Sequence, residues 1–217
     1  MKASEIFSQE IGYIVNRDLR NIVRDTLDSA PECITTIPAS STGKYHAQYS
    51  LGNGGLTRHV KSVVSIAHDL MKTDIFINFM FDFPEEIDIE QLIKYKDIVY
   101  ASTIIHDCCK PDDSPNHYTK FDHPLLASEL FKKCAVPYIN KSNNAYMKEV
   151  VTAVYNCVAS HMGEWNTANY AKGIVLPKPS NKLEEWVHMC DYLGSRKYIE
   201  FNFDVWNEAK DSKGKTE

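Results

Sequence analysis

Several features are missing from this 217-residue chain. No apolar run approaches the ~20 residues that would span a bilayer, so no transmembrane helix is expected. The start, Met1-Lys2-Ala3-Ser4-Glu5, leads into mixed polar sequence rather than an apolar signal core, and the expected location is cytoplasmic. None of the six cysteines forms a Cys-x-x-Cys pair, so neither a zinc ribbon nor a disulfide framework is suggested. Positive charge is in deficit, with 24 Lys+Arg against 29 Asp+Glu and a net charge of −5. That balance argues against a protein that coats nucleic acid, although a local basic cleft remains compatible with it. Repeats, low-complexity tracts and clear linkers are also absent.

What remains is an ordinary globular balance, 43% hydrophobic and 24% charged, at a length that favours one domain. Apolar residues Ile11, Ile14, Val15, Leu19, Ile22, Val23 and Leu27 recur at helical spacing and predict a helix over 4–29, stopped by Pro31. Residues 33–55 read as a long ordered loop. A short hairpin is expected around Lys44 to Leu51, and Gly52-Asn53-Gly54-Gly55 marks a turn. Loops of this length are more often functional than idle. Helical periodicity returns from Leu56 to Met71, and further helices are predicted at about 88–107, 122–135, 144–161 and 181–200. The expected architecture is an all-α bundle in a single domain over 1–205, with a core at 55–200 and a polar tail at 206–217.

Eight histidines stand out, and their positions matter more than their number. His106-Asp107 ends an apolar helix and is followed by Lys110. Imidazole and carboxylate suit a first-row divalent metal, and the two oxygens of one carboxylate can bridge two ions. His59, His123, His161 and Asp191 fall on four other predicted helices, the arrangement that metal sites in bundle cores use.

The order H…HD…H…H…D resembles the HD superfamily of metal-dependent phosphohydrolases. Flanking words carry the resemblance: Gly55-Leu56-x-x-His59, His106-Asp107-x-x-Lys110, His123-Pro124-x-x-Ala127, Ser160-His161-x-Gly163 and Asp191-Tyr192-x-x-Ser195-Arg196. It runs from about residue 38 to 200. The stretch Ser160 to Arg196 is similar to the matching part of HD-type 3′-to-5′ exoribonucleases. Pro38-Ala39-Ser40-x-x-Gly43-Lys44-Tyr45-His46 is similar to a set of bacterial and phage HD proteins.

The resemblance implies two divalent ions (Mn, Fe, Co, Ni, Zn or Mg). His59, His106, Asp107 and Asp191 would hold the first, His123 and His161 the second, with Asp107 bridging. In the family the word around His161 often begins with two histidines; here the first is Ser160. Two cations about 3.5–4 Å apart would acidify a shared water, giving a metal-bridged hydroxide, and would clamp a phosphoryl group. Lys110 could then place its ammonium on a phosphate oxygen or help the leaving group. Glu129, Glu164 and Asp69 are candidate acceptors behind the ligating imidazoles.

Among the remaining residues, His68, His117 and His188 read as ordinary core or surface histidines, with His188 the best spare ligand, and Cys108-Cys109 as packing residues. The loop bearing Lys44 and His46 is a candidate substrate contact, although it lacks P-loop spacing. Arg58 and Arg196 could meet phosphate, and Trp165 and Asn166 could stack on or hydrogen-bond a nucleobase. The expected activity is hydrolysis of a phosphoester in a small phosphorylated substrate, a nucleotide or short oligonucleotide, as a phosphodiesterase or nucleotidase. The alternatives are a di-iron oxygenase similar to myo-inositol oxygenase, which uses the same ligand order, and a regulatory binding module with a residual metal site.

Overall fold

Every side chain from Asp97 to Cys108 is buried, and a helix buried on all sides must lie at the centre of its domain. The protein's structure, a computed structural model, places that helix accordingly. It describes residues 2–40, 43, 46–111, 119–142, 145–171 and 173–202. In chain order the helices are α1 (Ala3–Ile6), α2 (Ser8–Gly12), α3 (Arg17–Ser29), α4 (Gly55–Leu70), α5 (Asp74–Phe81), α6 (Ile89–Ile105), α7 (His123–Ser142), α8 (Ala145–Ser160) and α9 (Lys182–Gly194). Helix α6 packs against α3, α4, α8 and α9. Among the described residues there is no strand, only one isolated antiparallel bridge between Pro111 and Thr119. The all-α expectation holds. No helix among these residues is long and apolar enough to cross a membrane.

Local chemistry sets the helix ends. Asn16, Asp88 and Asn181 cap α3, α6 and α9 by accepting backbone amides. Gly55 opens α4 where only glycine fits, because a Cβ there would lie 2.2 Å from the Ser50 carbonyl oxygen.

Three predicted boundaries change, and one helix is added. The helix expected over 4–29 is broken after Gly12. Buried Asp97 on α6 accepts from the amides of Val15 (2.7 Å) and Asn16 (2.8 Å), holding them in a turn. Helix α7 runs past Pro137 instead of stopping at 135. Tyr138 donates to Asp25 (2.7 Å) and Ile139 packs on the core, and these contacts outweigh a proline cost of about 3 kcal/mol. Helix α9 ends at Gly194 rather than 200. Its last carbonyls are taken by Ser195, Arg196 and Tyr49, whose hydroxyl donates to the Gly194 oxygen at 2.7 Å. Helix α5 was not expected from the sequence; Phe76 buries against Trp186 edge-to-face, with ring centres 4.9 Å apart.

The segment expected as a hairpin is irregular where described, with short 3-10 turns at Glu32–Thr35 and Gln48–Ser50. Lys44, His117 and the tail at 206–217 lie outside the described residues.

Candidate metal centre

The six expected ligands come from five elements. His59 is one turn into α4, and His106 caps the C-terminus of α6 with Asp107 following it. His123 opens α7, His161 directly follows α8, and Asp191 lies in the last turn of α9. All six converge on one point in the core. His59, His106, Asp107, His123 and His161 are buried, and Asp191 keeps 19% side-chain exposure, so the centre is most open on the α9 side.

Asp107 divides its two oxygens between two sets of partners. Its Oδ2 lies 3.4 Å from His106 Nε2 and 3.6 Å from His59 Nε2. Its Oδ1 lies 3.0 Å from His123 Nε2 and 3.7 Å from His161 Nε2. Asp191 Oδ1 joins the first set, 3.0 Å from His59 Nε2 and 3.5 Å from His106 Nε2. The nitrogens themselves converge, His59 to His106 at 3.4 Å and His123 to His161 at 3.3 Å. Two triads, His59-His106-Asp107 and Asp107-His123-His161, therefore each bring three donor atoms within 4.8 Å of one another.

Three of these imidazoles are aimed by the backbone. His106, His123 and His161 each place Nδ1 on the carbonyl oxygen three residues earlier, Thr103 (2.8 Å), Lys120 (2.6 Å) and Val158 (2.7 Å). A carbonyl only accepts, so Nδ1 carries the proton, and in the neutral ring the Nε2 lone pair points inward. Glu129, Glu164 and Asp69 do not take this role. Glu129 accepts from Tyr155, Glu164 meets His188, and Asp69 pairs with Lys72.

Electrostatics favour a cation here. Burial disfavours the charged form of His106, but the carboxylates of Asp107 and Asp191 outweigh it and hold its pKa at about 10. Burial likewise opposes ionised Asp107, yet Lys110 and His106 keep it well below the usual carboxylate range. His106 and His59 do the same for Asp191. His123, by contrast, is pushed down by burial, with His161 and Lys110 adding to the effect. A neutral His123 whose Nδ1 is already donating faces Asp107 Oδ1 with a lone pair, and that buried oxygen has no hydrogen-bond donor. Two lone pairs 3.0 Å apart in the core repel each other, and a cation between or beside them would relieve that repulsion. The donor set of imidazole nitrogens and carboxylate oxygens fits a first-row divalent metal, so this buried His/Asp group could hold metal.

No model of a protein family, no curated protein and no solved structure matches this chain. The geometry must carry the functional reading.

The residues expected to touch substrate are distributed unevenly. Lys110 lies at the centre, its ammonium 2.6 Å from Asp107 Oδ2. His46 sits beside His59, with ring centres 5.4 Å apart, and its buried Nδ1 has no partner. Burial first, then the charges of Lys110 and His59, hold His46 near pKa 3, so its ring is neutral. Arg58 is instead spent on the loop, donating to the carbonyls of Tyr49 and Leu51. The Asn166 side chain donates to the Leu176 carbonyl at 3.1 Å and its main-chain carbonyl accepts the Leu176 amide at 2.9 Å, so the residue anchors the turn. Trp165 stands 43% exposed and stacks on Tyr192, which Arg196 also covers.

His188 does not act as a spare ligand. Its Nδ1 donates to the His161 carbonyl (2.7 Å) and its Nε2 meets Glu164 (3.0 Å), so it braces the chain behind His161. The sequence signal for this was Gly163: a Cβ there would lie 2.2 Å from the His188 ring. Ser160 donates to the Asn156 carbonyl instead of facing the centre. Neither triad includes a cysteine sulfur; Cys108 is buried in the core, and Cys109 packs against it.

Proposed function

We propose that the chain is a metal-dependent phosphohydrolase with a dinuclear centre, acting on a phosphoester of a nucleotide or short oligonucleotide. The observation that carries this reading is the division of Asp107, Oδ2 toward His59 and His106, Oδ1 toward His123 and His161. His59, His106, Asp107 and Asp191 would hold one ion and Asp107, His123 and His161 the other. When bound, such ions supply a water acidified toward neutrality and positive charge over the phosphoryl oxygens.

The protein's own residues do the rest. The carbonyls of Thr103, Lys120 and Val158 fix three imidazoles so that no ring has to reorient during turnover. Lys110 brings its ammonium to the reacting side of Asp107, where it stabilises charge developing on a phosphoryl or leaving oxygen. His46, neutral and with an unsatisfied Nδ1, offers a hydrogen bond to a phosphate oxygen beside His59. The buried position of the cluster keeps the dielectric low, which strengthens each of these interactions.

The test is metal analysis of the purified full chain, followed by turnover of p-nitrophenyl phosphate and bis-p-nitrophenyl phosphate with each divalent ion added. The expected result is two equivalents of metal and hydrolysis that Asp107→Ala abolishes while circular dichroism stays helical. Oxygen uptake by an iron-loaded sample without phosphoester turnover would overturn the reading in favour of an oxygenase. A chain that takes up no metal and stays inert would leave only a binding module.

A further inference from the structure

Helix α9 and the turn that follows it carry two neighbouring sets of side chains that the metal centre uses differently. Asp191 faces the ligands, whereas His188, Tyr192 and Arg196 recur every four residues and form one stripe beside it. Trp165 reaches this stripe from the turn after α8, four residues beyond His161. Its indole lies parallel to the Tyr192 ring, 9° between planes and 5.5 Å between centres. The Arg196 guanidinium carbon lies 4.1 Å from the Tyr192 centre and 5.7 Å from the Trp165 centre.

Trp165, Tyr192 and Arg196 therefore form one packed shelf, with an indole and a guanidinium both against the Tyr192 ring. Trp165 is 43% exposed, so part of its indole faces solvent.

The support is rigid. Arg196 is held by bonds to the Tyr192 carbonyl (3.1 Å) and Ser195 Oγ (2.8 Å). The turn carrying Trp165 is closed by the Trp165 amide on the Met162 carbonyl and by the two Asn166–Leu176 bonds. His188 ties the shelf to the centre: it bonds the His161 carbonyl, and its ring lies 6.0 Å from Trp165.

We propose that this Trp165–Arg196 shelf is the nucleobase subsite of the substrate, stacking one base while the attached phosphate enters beside Asp191. The inference rests on the phosphohydrolase reading and deepens it. A rigid aromatic ring beside a planar cation attracts a flat conjugated ring and gives a bare sugar phosphate little to stack on. The substrate must therefore carry a base, and because stacking area sets the strength, purines bind better than pyrimidines.

The test is a titration of the full chain, with a chelator present to prevent turnover, by adenosine, guanosine and uridine 5′-monophosphates and by ribose 5-phosphate. The readout is the Trp165 indole N–H resonance, assigned by its loss in Trp165→Phe. The three nucleotides should shift it saturably, the two purines at lower Kd than uridine monophosphate, and ribose 5-phosphate should leave it in place. Trp165→Ala should weaken the binding of adenosine monophosphate by at least about fivefold, whereas Trp165→Phe should keep most of it. Arg196→Lys keeps the charge but loses the planar guanidinium, and should also weaken it. Equal binding of ribose 5-phosphate, or a Kd unchanged in Trp165→Ala, overturns the proposal. A shelf that binds nucleotides in a chain that hydrolyses no phosphoester with any metal upholds this inference and removes the hydrolase. Hydrolysis without base-dependent binding does the reverse.

Discussion

Among the described residues, Lys110 and His46 stand at the centre without being ligands, and substitution should separate their roles. Lys110 donates to Asp107 Oδ2 from one turn beyond His106, so it shares the carboxylate with the first triad without being needed to hold it. In Lys110→Met the metal content should stay at the wild-type value while kcat falls about 10²- to 10³-fold, as when one donor to a developing oxyanion is removed. Metal analysis and steady-state kinetics on the same sample check this, and a parallel loss of metal would make Lys110 a structural partner of Asp107. His46 is set apart by its unpaired, buried Nδ1, an atom whose isolation costs about 1–3 kcal/mol unless something fills the gap. If substrate fills it, His46→Ala should raise KM roughly tenfold with little change in metal content, since the lost hydrogen bond is made in the ground state as well. Single residues of this kind were legible in the sequence where a rare residue type marked them. Histidine and aspartate at five separate words located the centre, because few other roles ask for that chemistry. Arg58 and Asn166 were misleading for the opposite reason: arginine and asparagine serve backbone carbonyls as readily as phosphate or base, and only the fold shows which partner is nearer.

Elements depend on partners that are far away in sequence, and the departures from the expected helices follow from that. The break between α2 and α3 is made by Asp97, 82 residues after Val15. The extension of α7 past Pro137 is held by Asp25, 113 residues before Tyr138. Neither influence shows in a local window, whereas the stripes of α4 and α8 do, because each buries one continuous face. The turn between α8 and α9 gives the element-scale prediction. Gly163 has φ +57°, and the room where its Cβ would be is filled by the His188 ring. Gly163→Ala must therefore strain the backbone and displace His188 from the His161 carbonyl. The expected cost is about 1–3 kcal/mol of stability, with weaker binding at the His123–His161 triad and little effect at His59–His106. Thermal unfolding measures the first effect, and metal stoichiometry falling from two toward one measures the second. Two tightly bound equivalents in Gly163→Ala would show that the brace behind His161 does not govern that triad.

The whole molecule folds around charges that it cannot leave unpaired, which links its stability to pH and to metal. His106 is held at about 10, above its unfolded value of about 6.5, so in the metal-free protein its contribution is complete below that value and fades as pH rises through 10. Asp107 and Asp191 are depressed, so their contributions are complete above about 4 and are lost as pH falls further. His123 and His46 are held below that same unfolded value of about 6.5, so they cost stability as pH falls under it. The metal-free chain should thus gain most from this cluster near pH 6.5 and weaken both toward pH 4 and toward pH 9. Metal reverses the trend on the alkaline side. A ligating imidazole must be neutral, so an ion entering the first triad displaces the His106 proton, and affinity should rise about tenfold per pH unit until the pH approaches 10. At a hundredfold excess over Kd, bound metal adds about 2.7 kcal/mol, or roughly 5–10 °C in Tm for a chain of this size. The gap in Tm between metal-loaded and chelated protein should therefore widen between pH 6.5 and 9, and calorimetric titration at pH 7.5 in buffers of different ionisation enthalpy should register release of about one proton. A gap that stays constant across that range, with no proton released, would mean that the metal binds without touching His106, and the first triad would have to be assigned to other ligands.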